Sequence, residues 1–170
     1  NVFTYANEGI MLTNIEGAII DVNDAFTRIT GYTKEDVLGK NPKILNSQRQ
    51  GKAFYSSMWD TLLKKGYWDG ELWNRRKDGE FYAQLLNISA IKDSKGEVQH
   101  YVALFSDITA SKEYEHKLEY IAHYDSLTGL PNRILNSDRI RQAMVQSLRR
   151  DEKVAIVYLD LDSFKEVNDQ

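Results

Sequence analysis

Two short β-like runs open the chain, Gly9–Asn14 and residues 18–23, separated by Ile15-Glu16-Gly17, a glycine-containing turn of hairpin length. Asn23 offers a helix N-cap for residues 24–30, which end at Gly31-Tyr32. Thr33-Lys-Glu-Asp36 has capping-box-like spacing and starts another short helix that stops before Gly39. Lys52–Lys65 reads as an amphipathic helix, with Phe54, Met58, Trp59 and Leu62 at helical spacing. Three longer strands are expected at residues 68–77, 80–92 and 97–108, joined by Asp78-Gly79 and Asp93-Ser-Lys-Gly96; Asp-Gly is a strong hairpin signal. Two strands, several short helices and three strands predict one antiparallel sheet with helices on one face, an α+β domain ending near Thr109.

Residues 110–124 are polar and helical, with Tyr114, Leu118 and Ile121 spaced by four and three. Such a stripe suits an a/d seam between helices, or a single helix lying on its own domain. Pro131 is expected at a helix start, followed by a second amphipathic helix carrying Ile134, Leu135, Ile140, Ala143, Met144 and Leu148. The apolar run 154–159 reads as a buried strand. An unpaired apolar strand recruits another edge, so this run is expected to pair with another chain or pack on the sheet.

Composition narrows the classes. At 170 residues, 42% apolar and 28% charged, the chain has the makeup of one full domain and part of another. A net charge of −3 gives no bulk electrostatic reason to bind nucleic acid or an anionic membrane. Arg75-Arg-Lys77, beside a hairpin turn, is expected to be a solvated face. The absence of cysteine excludes disulfides, thiolate nucleophiles and thiolate metal sites and is compatible with the cytoplasm. The longest apolar stretch is far shorter than the ~20 residues that span a bilayer, so any membrane anchor is expected outside these residues. His100, His116 and His123 lack paired metal spacing and read as solvated or capping groups.

Asp21-Val-Asn-Asp-Ala-Phe-Thr-Arg-Ile-Thr-Gly-Tyr32, Gly39-Lys-Asn-Pro42, Asn74-Arg-Arg-Lys-Asp-Gly79 and Asp107-Ile-Thr109 stand in an order that resembles a PAS domain. The resemblance implies a five-stranded antiparallel sheet with flanking helices that enclose either a small-molecule pocket or only a core. Within the family, residues 39–109 are similar to light-oxygen-voltage flavin domains. Their photoreactive cysteine falls on Pro42, which rules out adduct photochemistry. Two amides that contact the flavin ring edge fall on Asn74 and Gln84, whose paired donor and acceptor atoms match a pyrimidine-like edge.

Strand alternation puts Leu72, Asn74, Gln84, Leu86, Ile88, Tyr101, Ala103 and Phe105 on the inward face. A buried amide without a partner costs ~1 to 3 kcal/mol, so Asn74 and Gln84 call for a ligand, a water or each other. Two positions depart from the light-sensing pattern: a third ring-contacting amide is Phe105 and a phosphate-binding arginine is Trp59, leaving Lys43 as the nearby cation. Pro42 with Trp68-Asp-Gly-Glu71 looks closer to redox-sensing PAS domains that hold FAD. The expected pocket content is therefore FAD, or no ligand in a core filled by Trp59, Phe105 and leucines. The Lys52–Lys65 helix offers no histidine for haem.

Asp125-Ser-Leu-Thr-Gly-Leu-Pro-Asn-Arg133, followed by Tyr158-Leu-Asp-Leu-Asp-Ser-Phe-Lys-Glu-Val-Asn-Asp169, resembles the opening of a GGDEF domain, the diguanylate cyclase fold that joins two GTP into cyclic di-GMP. The resemblance implies that Asp160 and the carbonyl of Leu161 bind Mg2+, that Phe164 and Lys165 meet phosphates, and that Asn168 reads guanine. It also implies that catalysis needs two such domains face to face, hence a homodimer formed through the PAS domain and the linker helix. The glycine-rich hairpin that supplies the second acidic ligand is absent from residues 1–170, so the chain is expected to be a truncated α/β GGDEF fragment that is itself inactive. The organisation expected is a PAS sensor at 1–109, a helical signalling linker at 110–124 and the GGDEF fragment at 125–170. The alternative is a non-enzymatic PAS module for dimerisation or ligand binding, attached to a degenerate GTP-binding GGDEF domain.

Overall fold

The computed structural model describes Phe3 and residues 6–159, and the chain divides into two compact units at residue 115. The first contains β1 (Gly9–Asn14), β2 (Ile19–Val22), α1 (Asp24–Thr30), α2 (Lys34–Val37), a 3-10 turn (Pro42–Leu45), α3 (Lys52–Lys65), β3 (Tyr67–Arg75), β4 (Phe81–Lys92) and β5 (Val98–Asp107). The five strands form one sheet in the order β2-β1-β5-β4-β3, with every neighbouring pair antiparallel. This is the expected α+β architecture. β5 lies between β1 and β4, with Phe105 opposite both Gly9 and Leu86.

Local chemistry sets the helix ends. The buried Asn23 accepts from Phe26 N at 2.9 Å as the α1 cap and from Ile10 N at 2.8 Å, and its amide donates to the Glu8 carbonyl at 2.9 Å. One side chain thus starts a helix and ties it to β1. Thr33 and Asp36 complete the capping box of α2. Gly31, at φ 74°, closes α1 in the left-handed region that a side chain rarely adopts. The core lies between these helices and one face of the sheet. Phe26 meets Phe105 edge to face at 5.8 Å, among Ile19, Val22, Val37, Leu45 and Leu86.

The β3–β4 turn folds back over α1, which overturns the expectation of a solvated face at Arg76, while Arg75 and Lys77 remain exposed. Arg76 is only 17% exposed and its guanidinium lies 4.4 Å above the Tyr82 ring. It bonds the Ile29 carbonyl, Asp107 at 2.5 Å and Glu80 at 3.1 Å. Lys77 reaches Asp36 at 2.6 Å. His100 likewise departs from a solvated histidine, since its Nδ1 is buried without a partner.

Helix α4 (Thr109–His123) begins in the first unit, and the second unit also contains α5 (Arg133–Arg150). Asn132 caps α5 by accepting from Ile134 N and Leu135 N, so Pro131 precedes the cap rather than opening the helix. Asp125 Oδ1 accepts from Leu127 N, Thr128 N and the Thr128 hydroxyl, which shapes the turn between α4 and α5. Tyr114, Leu118 and Ile121 are exposed. Residues 154–159 form no strand, and Val157, Tyr158 and Leu159 are exposed, against the expectation of a buried strand. A strand is held by its neighbours' backbone groups, and no ladder among the described residues reaches this run.

Two outcomes follow. Phe26→Ala, which opens a cavity at a fully buried ring, lowers unfolding free energy by about 3 to 5 kcal/mol in urea titrations. The hydrogen bond from Lys77, with the Thr33 amide, lowers the Asp36 carboxyl from the ordinary 3.8 to about 2. A depressed carboxylate contributes stability above its unfolded value that is lost as pH falls through the folded one. Asp36→Asn is therefore less stable than the parent at neutral pH, and the difference narrows as urea midpoints are measured downward between those two values.

Candidate ligand-binding site

Between the sheet and α3 lies a cavity of about 590 Å³, within the ~300 to 1,000 Å³ of small-molecule pockets. Alternation along β3, β4 and β5 sets its floor. Leu72 and Asn74 come from β3, Gln84, Leu86 and Ile88 from β4, and Tyr101, Ala103 and Phe105 from β5. Trp59 of α3 and Lys43 of the 3-10 turn complete its lining from the other side. All ten residues expected at a pocket therefore border the same cavity.

Further lining residues went unread in the sequence. Met11 and Thr13 of β1 follow from the same alternation. Lys52, Tyr55 and Ser56 share an edge of α3 beside the apolar stripe that defined that helix. Lys52 adds a second cation to Lys43; both ammonium groups belong to exposed residues. Trp59 is 41% exposed and meets Tyr101 edge to face at 5.7 Å. It stands beside the cavity and does not fill it. Pro42 also borders the cavity, where a carbon ring offers no nucleophile.

The polar chemistry is concentrated at one point. Asn74 Nδ2 donates to Gln84 Oε1 at 3.1 Å, and the Tyr82 hydroxyl donates to the same oxygen at 2.8 Å. The two amides thus answer each other, as burial demands. Asn74 Oδ1 and Gln84 Nε2 take no partner from the protein, and neither is sealed away from the cavity. An acceptor and a donor consequently remain available side by side. Burial pushes the Tyr82 phenol well above its ordinary range, so it stays protonated and donating.

Asp107 ends β5, two residues before the start of α4. Burial opposes its charge, yet hydrogen bonds from Thr109 and Arg76 hold its carboxyl below the ordinary range. A second depression, between α1 and the β3–β4 turn, is lined by Arg28 and Asp78 and by Arg76, Lys77, Glu80 and Asp107, the last four already paired with protein groups. Asp160, Leu161, Phe164, Lys165 and Asn168 lie outside the described residues. Among the described residues no group of three His, Cys, Asp or Glu could hold a metal, and no helix is long and apolar enough to cross a membrane.

The family model of the PAS domain matches residues 7–110. The chain belongs to the PAS domain family. The model described as diguanylate cyclase, GGDEF domain, matches residues 122–170, so the PAS domain is followed by the N-terminal part of a GGDEF domain. The pairing is consistent with a regulatory module for cyclic di-GMP signalling. The chain is 38% identical over 113 residues to a nitrogen fixation regulatory protein of Klebsiella oxytoca, covering 66% of this chain and 23% of that protein. It is 30% identical over 169 residues to the cyclic di-GMP phosphodiesterase PdeR of Escherichia coli, covering 99% of this chain and 25% of that protein. The chain thus spans about a quarter of the length of these relatives. The PAS domain of a Colwellia psychrerythraea protein superposes with a TM-score of 0.61 at 25% identity, covering 64% of this chain and 92% of that structure.

Gly9 explains how Phe105 reaches its place at the cavity wall. A Cβ on Gly9 would stand 2.4 Å from the Phe105 ring. Gly9→Ala therefore displaces a buried ring and destabilises the PAS domain by about 1 to 3 kcal/mol in urea unfolding.

Proposed function

We propose that the PAS cavity binds FAD and that the state of this ligand controls a diguanylate cyclase whose GGDEF domain begins in this chain. The observation that carries the reading is the acceptor and donor offered together by Asn74 and Gln84 at the wall of a cavity of about 590 Å³. A flavin pyrimidine edge is complementary to that pair, and the apolar walls suit the remaining ring. Leu72, Leu86, Ile88, Tyr101, Ala103 and Phe105 supply those walls, and Trp59 borders them. Lys43 and Lys52 supply positive charge toward a pyrophosphate. Flavin, when bound, supplies redox chemistry, and the resemblance to redox-sensing PAS domains points the same way.

On this reading residues 1–109 are the sensor, 110–124 the signalling linker and 125–170 the opening of the cyclase, which acts in the cytoplasm as a homodimer. The complete cyclase domain binds GTP and Mg2+, with Asp160 and the Leu161 carbonyl on the metal, Phe164 and Lys165 at the phosphates and Asn168 at guanine. A 3′-hydroxyl of one GTP attacks the α-phosphorus of another, and pyrophosphate leaves. The match to PdeR along 99% of the chain favours a second reading, in which the GGDEF domain binds GTP without synthesis and serves a phosphodiesterase.

Absorption of the purified chain, mass spectrometry of what acid releases, and titration with FAD test the ligand. A flavin spectrum is expected, and Gln84→Leu should weaken FAD binding by about tenfold or more, about 1.4 kcal/mol. A wild-type chain that neither carries nor binds FAD would contradict the reading. Equal affinity in wild type and Gln84→Leu would contradict the site. Cyclic di-GMP formation by the complete protein separates synthesis from the GTP-binding alternative.

A further inference from the structure

We propose that Tyr82 is the positioning residue through which the cavity amides act on the start of α4. The physiological meaning of this role rests on the cavity being a ligand site, but the linkage itself does not. Tyr82 is fully buried and does not border the cavity. Its hydroxyl fixes Gln84 at 2.8 Å, while its ring carries the Arg76 guanidinium at 4.4 Å. Arg76 holds Asp107 Oδ2 at 2.5 Å, and Asp107 Oδ1 accepts from Thr109 N at 2.9 Å and the Thr109 hydroxyl at 2.6 Å. Thr109 Oγ1 in turn accepts from Ala83 N at 3.0 Å, and Ala83 sits between Tyr82 and Gln84 on β4. The path from the cavity to the first residue of α4 therefore closes on itself through three adjacent residues of one strand.

Gln84 has two settings that this arrangement distinguishes. With Oε1 inward it accepts from both Asn74 and Tyr82. With the amide turned, Nε2 meets the Asn74 amide and the Tyr82 hydroxyl, so the first contact is lost and the hydroxyl must accept instead of donate. A ligand that binds one face of the amide pair biases this choice. Tyr82 converts the choice into a displacement or a proton reorientation beneath Arg76, and Arg76 passes it to Asp107. A merely structural Tyr82 would add stability without making Gln84 and Thr109 sense each other.

Amide hydrogen exchange in the 170-residue chain separates these roles. Four proteins are compared: wild type, Gln84→Leu, Tyr82→Phe and the double variant. Tyr82→Phe keeps the ring, its packing and its contact with Arg76. Gln84→Leu is expected to speed exchange at Ala83 N and Thr109 N by about threefold or more in the Tyr82 background, and by less than about twofold in the Tyr82→Phe background. Arg76→Lys keeps the charge but loses the flat guanidinium, and should abolish the same coupling. Equal acceleration in all backgrounds, or no acceleration by Gln84→Leu, would overturn the proposal. Addition of FAD gives a separate arm: a change at Thr109 in wild type and none in Tyr82→Phe supports the proposal, whereas an equal change in both overturns it. If FAD does not bind, the ligand assignment falls and the ligand-free cycle still decides the role of Tyr82.

Discussion

Hydrogen bonding of β5 to β1 on one side and β4 on the other is the constraint on which the PAS domain depends. It brings the first and last strands of the domain together at the sheet centre, so Phe105 can complete the core against Phe26. The same strand lends Tyr101 and Ala103 to the cavity and ends at Asp107, which receives Arg76 and Thr109. Core, cavity and the start of α4 are thus three consequences of one strand's position.

The cavity persists beside a close-packed core because its lining is divided between rigid elements. Sheet residues face it from one side, while α3 and the 3-10 turn face it from the other. Closing the space would require moving α3 against β3 and β4 or burying free polar atoms of Asn74 and Gln84 without partners, at ~1 to 3 kcal/mol for each such group. The polar cluster is satisfied on its protein side by Tyr82 and remains open on its cavity side. That asymmetry is the observation on which the proposed recognition role rests.

Much of this architecture was legible because local signals agreed with one another. Asn23, the Thr33 capping box and Asp78-Gly79 mark boundaries within a residue or two, and strand alternation brought Asn74 and Gln84 to the same face. What escaped was nonlocal. Nothing in Arg75-Arg-Lys77 as a string reveals that Arg76 will lie over Tyr82 and pair with Asp107, thirty-one residues away. Lys52 lies on a helix edge beside the apolar stripe of α3, and a lysine at such a position carries no periodic signal. Residues 154–159 carry the composition of a strand, but a strand exists only where a ladder receives it.

The central claim is that the Asn74–Gln84 pair is a recognition group for a planar, hydrogen-bonding ligand. Its most direct test is the side-chain amide resonances of Asn74 and Gln84, assigned by nuclear magnetic resonance and followed as FAD is added. Saturable shifts of both amides, with the Tyr82 hydroxyl still protonated, are the predicted result. FAD that binds while both amides stay unmoved, or that shifts neither at saturating concentration, would contradict the account.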